Sequence, residues 1–300
     1  MENKALIELA QSKEYEEILD VYQQHPIEAV AEVADFLRNQ DIYNVSMTLY
    51  QYLLEQQEAA DFHYGLGQCY GKIYDYETSF FHLQQAFELE QDRTEGANYY
   101  AYILERKLLM DRAYEWYQKA LKSGYDNDLW TLSHYAYFLE KYNKKAEAKQ
   151  AYEDVLTINP AYTWAVKRYA IFLLKENELE QSMQLMRGAL DKFPNNPFVK
   201  LNYLEYLIIR GMADEYEEYL QNIGYEKSPL PFQVLVDLFD YFFRYLINGK
   251  SDAQKVKAYE EKVKGLKDSV HRDFDDLNEI LIAKNGDMTE WKRLIQFLIN

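Results

Sequence analysis

Apolar residues in this chain recur at helical spacing, and the recurrence repeats about every thirty-four residues. The clearest instance is Leu66-Gly67-Gln68-Cys69-Tyr70, followed by Tyr76, Ser79, Leu83 and Ala86. It predicts a helix, a short turn and a second helix. A compact residue stands in the place of Gly67 at Ala34, Ala101, Ala136 and Ala170. The residue before it is Val33, Leu66, Tyr100, Tyr135, Tyr169 and then Tyr203. Three places after it come Leu37, Tyr70, Leu104, Leu139, Leu173 and Leu207. The second helices align on Ser46, Ser79, Ala113, Ala148, Ser182 and Tyr216. One helical pair cannot bury its apolar stripe alone, so the pattern predicts stacked neighbours. The small residues let adjacent helices approach closely, and the large ones fill the space beside them.

The ends of the chain depart from this period. Residues 1–26 hold a shortened pair, with Leu6 and Ile7, then Tyr15, Ile18, Leu19 and Tyr22, closed by Pro26. This segment is expected to cap the array. Residues 27–227 hold six aligned repeats, of which the sixth deviates most, with Leu204 and Tyr216 in place of small residues. After Ser228-Pro229-Leu230-Pro231 the period fades. Residues 228–300 are expected to form divergent helices. The first is the apolar run Phe232 to Ile247, ended by Asn248-Gly249. A charged helix follows near 252–266, then another near 270–284 stopped by Asn285-Gly286. The last carries Trp291, Leu294, Ile295 and Leu298 on one face. Two arrangements fit these helices: hairpins that continue the array with a final cap, which is favoured, or a small bundle over its end.

Taken together, the columns resemble the tetratricopeptide repeat family over roughly residues 27–227. The resemblance implies an all-α, right-handed superhelical solenoid with additional C-terminal helices. It also implies first helices that line a concave face and bind an extended peptide or a partner protein. The family's usual large residue early in the first helix is replaced here by Val30, His63, Ala97, Leu132, Val166 and Lys200. Carried over position by position, the resemblance gives the candidate contacts Tyr64, Tyr102, Trp130, His134, Tyr137, Trp164, Lys167, Arg168 and Phe198. The face would be acidic at its N-terminal end, through Glu28, Asp35, Asp61 and Glu95, and aromatic in the middle. Aromatic and arginine side chains supply much of the affinity at interfaces. The alternative is that these rings pack between adjacent first helices. The thirteenth position is also patterned, with Lys72, Arg106, Lys141 and Lys175. Complementing the helix dipole explains these cations more simply than a basic rim does. The lysine–asparagine pair with which some family members hold a C-terminal carboxylate is missing, because Ile171 stands four residues after Lys167.

Composition narrows the function. Of 300 residues, 48% are hydrophobic, and Gly (11) and Pro (6) are scarce, which suits helices. The net charge of -17 opposes a nucleic-acid footprint and docking on an anionic membrane. The lone cysteine, Cys69, rules out an intrachain disulfide and reads as a small buried hydrophobe. The N-terminus lacks the pattern of a signal peptide, and Phe232 to Ile247 is broken by Asp237, Asp240 and Arg244. A cytoplasmic protein is expected.

Catalytic signals are weak. His271-Arg272-Asp273 with Asn278 has the spacing of a kinase catalytic loop, but no glycine-rich loop precedes it. Gly65, Gly67 and Gly71 lack the spacing of a dinucleotide loop. No catalytic residue, metal or cofactor is expected. The leading expectation is a non-enzymatic interaction scaffold for a peptide or protein. The alternative is a peptide-sensing regulator whose superhelix changes shape on binding, and an enzyme with a site in the C-terminal helices ranks last. Self-association through exposed Tyr and Trp stays open.

Overall fold

The computed structural model describes residues 2–248, 252–266, 272, 274–284 and 286–299. Gly249, His271, Asp273 and Asn285, which figured in the expected helix ends and the kinase-like spacing, lie outside the described residues. The described chain contains no strand. It forms two compact units, one ending at Asp154 and one starting at Val155, with the boundary inside a helix.

The N-terminal unit pairs its helices in order. They are α1 (Glu2–Gln11) and α2 (Tyr15–Val21), α3 (Ile27–Asn39) and α4 (Tyr43–Gln56), α5 (Ala60–Lys72) and α6 (Tyr76–Leu89). Then come α7 (Ala97–Arg106) and α8 (Met110–Ala120), and α9 (Leu129–Lys141) and α10 (Lys145–Ile158), which runs across the boundary. The residues of the repeated columns form the core: Ala34, Leu37, Leu83, Ala101, Leu104, Ala136 and Leu139 are fully buried.

The small column does more than allow close approach. Ser46 Oγ donates to the Ala34 carbonyl at 2.8 Å, and Ser79 Oγ donates to the Gly67 carbonyl at 2.7 Å. Where alanine replaces that serine, a tyrosine one turn on makes the link instead. Tyr117 donates to Glu105 Oε2 at 3.2 Å, and Tyr152 donates to Glu140 Oε2 at 3.1 Å. Either way, a polar bond joins the two helices of a hairpin inside an apolar seam.

The hairpin turns share one backbone device. Lys13, Asp41, Tyr74, Leu108, Asn143, Asn177 and Gly211 all have positive φ, between 58° and 68°. The next amide then reaches back to close the preceding helix. Asp75 N donates to Tyr70 O at 3.0 Å, Leu109 N to Leu104 O at 2.9 Å and Lys144 N to Leu139 O at 2.9 Å. This is the left-handed C-terminal motif, and its acceptors come from the column that begins with Leu37.

The C-terminal unit continues with α11 (Thr163–Lys175) and α12 (Leu179–Lys192), then α13 (Pro197–Arg210) and α14 (Ala213–Asn222). Beyond these lie α15 (Leu230–Asn248), α16 (Ala253–Val263), α17 (Asp275–Ala283) and α18 (Met288–Ile299). Helix α13 packs against α14, α15 and α17, while α16 and α17 each pack against α18. This explains why residues 201–208 of α13 are buried on every side. The bulky Tyr216 in the sixth repeat has a partner for the same reason: its ring stacks on Phe243 of α15, with centroids 3.8 Å apart. No described helix is long and apolar enough to cross a membrane.

Candidate functional site

A hollow of about 410 Å³ opens on the first helices of the N-terminal unit. Helix α5 supplies Tyr64, Gln68 and Lys72, which stand on one face at four-residue spacing. Asn98 and Tyr99 come from α7 and Trp130 from α9. Glu95, Tyr125 and Asp128, in the connections that precede α7 and α9, complete the wall.

These side chains are held by one another. Gln68 Nε2 donates to the Tyr64 hydroxyl at 2.8 Å. The Tyr99 hydroxyl donates to the Gln68 carbonyl at 3.3 Å. Asn98 Nδ2 donates to Thr131 Oγ1 at 2.9 Å, tying α7 to α9. Asp128 caps α9 by accepting from Thr131 N at 2.7 Å. Gly96 N donates to the Tyr125 hydroxyl at 3.3 Å. Behind Tyr64 the Arg93 guanidinium lies 4.9 Å from the ring centroid, paired with Asp61 at 2.7 Å and Glu90 at 2.9 Å. A wall held this way keeps its shape before any ligand arrives, which lowers the entropy cost of binding.

Trp130 is half-buried and backed by other rings. His134 lies 4.3 Å from it, Tyr102 5.8 Å and Tyr99 6.3 Å, between centroids. Burial pushes the His134 imidazole down to about 4, with further lowering from Lys141, Lys72 and Arg106. The ring is therefore neutral near pH 7 and adds no charge to the wall.

The structure thus brings four of the expected contacts to one place. Tyr64 and Trp130 line the hollow, and Tyr102 and His134 support Trp130 from behind. Tyr137 instead lies beneath Lys141, whose Nζ is 4.0 Å from its ring centroid. Arg93, Tyr125 and Asp128 lie in the connections, outside the helical columns, so periodicity gave no sign of them. Only the Asp128–Thr131 spacing, that of a helix N-cap, marks one of them in the sequence.

The remaining candidates belong to the C-terminal unit and have other surroundings. Lys167 and Arg168 are buried, with exposures of 6% and 3%. Lys167 Nζ is 3.1 Å from both carboxylate oxygens of Glu205 and 3.5 Å from Asp276. Arg168 Nη1 donates to Asp276 at 2.9 and 3.0 Å. Arg272 joins the cluster through Glu205 and Asn202. Burial alone would raise the Glu205 carboxyl, but Lys167 and Arg272 outweigh it and hold the group below its ordinary range. Trp164 is half-buried, with the Arg168 guanidinium 5.9 Å from its ring centroid, and Phe198 is exposed at the start of α13.

Other candidate chemistry is absorbed by packing. A second hollow, of about 520 Å³, lies among α12, α13 and α14, where Arg187 pairs with Glu215 at 3.0 Å. Cys69 is buried, its Sγ 3.5 Å from Ser46 Oγ, and burial raises its thiol above the usual range. Among the described residues, no group of three or more His, Cys, Asp or Glu side chains is placed to hold a metal ion.

Stacked antiparallel helical pairs with a recurring small-residue seam define a helical-repeat solenoid. The tetratricopeptide repeat model matches residues 143–201 of the chain. A tetratricopeptide repeat protein from Parabacteroides merdae has the same fold, at a TM-score of 0.61 and 10% identity, over 91% of this chain and 99% of its own. MamA from Desulfovibrio magneticus aligns at a TM-score of 0.50 and 6% identity, over 55% of this chain and 93% of its own. No curated protein sequence matches the chain. The tetratricopeptide fold is that of a protein-interaction scaffold.

Proposed function

We propose that this protein is a non-enzymatic, cytoplasmic scaffold that binds an extended peptide, or an extended segment of a partner protein, in the hollow on α5, α7 and α9. The observation that carries this reading is the pre-arranged wall of Tyr64, Gln68, Asn98, Tyr99 and Trp130. Most of its polar groups are already satisfied, while a half-buried tryptophan faces the opening. Such a surface offers aromatic area without a large ordering cost.

In the C-terminal unit, Trp164 and Phe198 remain candidate contacts. Lys167 and Arg168 would join them only if Glu205 and Asp276 released them. The test is affinity capture from native lysate with the intact chain and with Trp130→Ala. The variant should keep its helical circular dichroism and its melting transition while losing the captured partner. Equal capture by a folded Trp130→Ala variant would sink the reading.

A further inference from the structure

We infer that the hollow selects a segment with opposite charges at its two ends: a basic side chain and, about four residues along, a carboxylate. This rests on the peptide-binding reading above and adds the chemistry of the partner. The argument starts from how charge is distributed along the wall.

One end of the hollow is acidic. Glu95 and Asp128 stand just before α7 and α9, beside the Tyr64 end of α5. That end is fixed by contact, because a Cβ added at Gly96 would fall 2.1 Å from the Tyr64 ring. The charges close to it are Arg93, Arg38, Asp61, Glu90, Glu95 and Asp128, in which the carboxylates outnumber the two cations. The chain already shows what this end accepts. Arg93 lies over the Tyr64 ring, and Asp61, Glu90 and Glu95 surround its guanidinium. Tyr64 and Tyr125 thus sit beside carboxylates, a combination that attracts a second guanidinium or ammonium group.

The other end is cationic. Lys72 is the last residue of α5, two turns beyond Tyr64, and its side chain is exposed. With a rise of 1.5 Å per residue, the two positions are about 12 Å apart along the helix. An extended chain covers that distance in about four residues. Between the ends lie Tyr99 and Trp130, which suit the apolar part of the segment. The neutral His134 behind Trp130 leaves this gradient undisturbed.

The test uses four acetylated, amidated octapeptides on a Gly/Ser background, each with Trp at the central position. They carry Arg and Glu, Arg and Arg, Glu and Glu, or Ser and Ser at positions four apart. Binding is read from the indole N–H signal of Trp130 in the full chain, assigned through Trp130→Phe. The Arg/Glu peptide should bind at least threefold more tightly than the Arg/Arg peptide and tenfold more tightly than the Glu/Glu peptide. Glu95→Gln with Asp128→Asn should remove the preference for Arg, and Lys72→Glu should make Arg/Arg the best ligand. Comparable binding of all four peptides would overturn the charge assignment but leave the groove standing. If none moves the Trp130 signal, both the assignment and the peptide-binding reading fall.

Discussion

The Nδ1 atoms of His63 and His82 lie 2.9 Å apart, joining α5 to α6 within one hairpin. Glu58 sits 3.1 Å from His63 Nε2, and with Nε2–H donating to it, His63 Nδ1 is left to accept from His82. Burial, then the proximity of His63, pushes His82 down to about 4 from an ordinary value of 6.5. His134 is lowered to about 4 as well, mainly by burial. The unfolded chain therefore binds protons that the folded chain refuses between pH about 6.5 and about 4. Stability from these groups is full above that window and is lost as pH falls through it. Melting temperatures recorded from pH 7 to pH 5 should decline, and His82→Phe should make the decline shallower. An unchanged slope in the variant would refute this.

The cluster around Asp276 should be costly to break. Removing its carboxylate by Asp276→Ala takes a charge partner from both Arg168 and Lys167, which are buried. Losing one partner of a buried ion pair costs about 3–5 kcal/mol. Urea denaturation of Asp276→Ala should show that loss, whereas Glu279→Ala, at an exposed site on the same helix, should stay close to the parent.

Two hairpin turns should be improvable. Tyr74 and Leu108 occupy the left-handed turn position, with φ of 67° and 60°, and are 73% and 81% exposed. The equivalent positions in the next two repeats are Asn143 and Asn177. Asparagine tolerates this conformation far better than a large side chain does, so Tyr74→Asn and Leu108→Asn should each stabilise by about 1 kcal/mol. Thermal melts would check this, and a destabilised variant would show that these side chains make contacts that matter to the fold.

Gly67→Ala should be harmful although four other repeats carry alanine in that place. A Cβ there would stand 2.8 Å from Leu83 Cγ and 3.2 Å from Leu83 N. The backbone of α6 would have to retreat, stretching the Ser79–Gly67 bond as it did so. Overpacking of this kind costs about 1–3 kcal/mol, and a chemical denaturation midpoint would reveal it.

The paired helices were legible because packing repeats. Gly67 and its alanine counterparts mark where two helices touch, and Leu104, Leu139 and Leu173 mark where the first helices end. The wall of the hollow was partly legible. Tyr64 and Trp130 lie in columns, while Tyr125 and Asp128 lie in connections whose path no period encodes. The surroundings of Lys167 and Arg168 were not legible. Their carboxylate partners, Glu205 and Asp276, are 38 and 108 residues away, and Asp276 belongs to a segment without the repeat pattern. Local spacing says which face a residue occupies, but not whether a distant helix covers that face.

The separation of 108 residues between Arg168 and Asp276 has a bearing on synthesis. The ribosome releases Lys167 and Arg168 long before it makes the carboxylate they face. In the nascent chain these cations stay hydrated, and the packing around α11 stays unfinished. The N-terminal hairpins, whose bonds join residues mostly 12 apart, can close as they emerge. Completion of the second unit waits for α17, so a chain stalled before Asp276 would present an incomplete, protease-sensitive half beside a finished one.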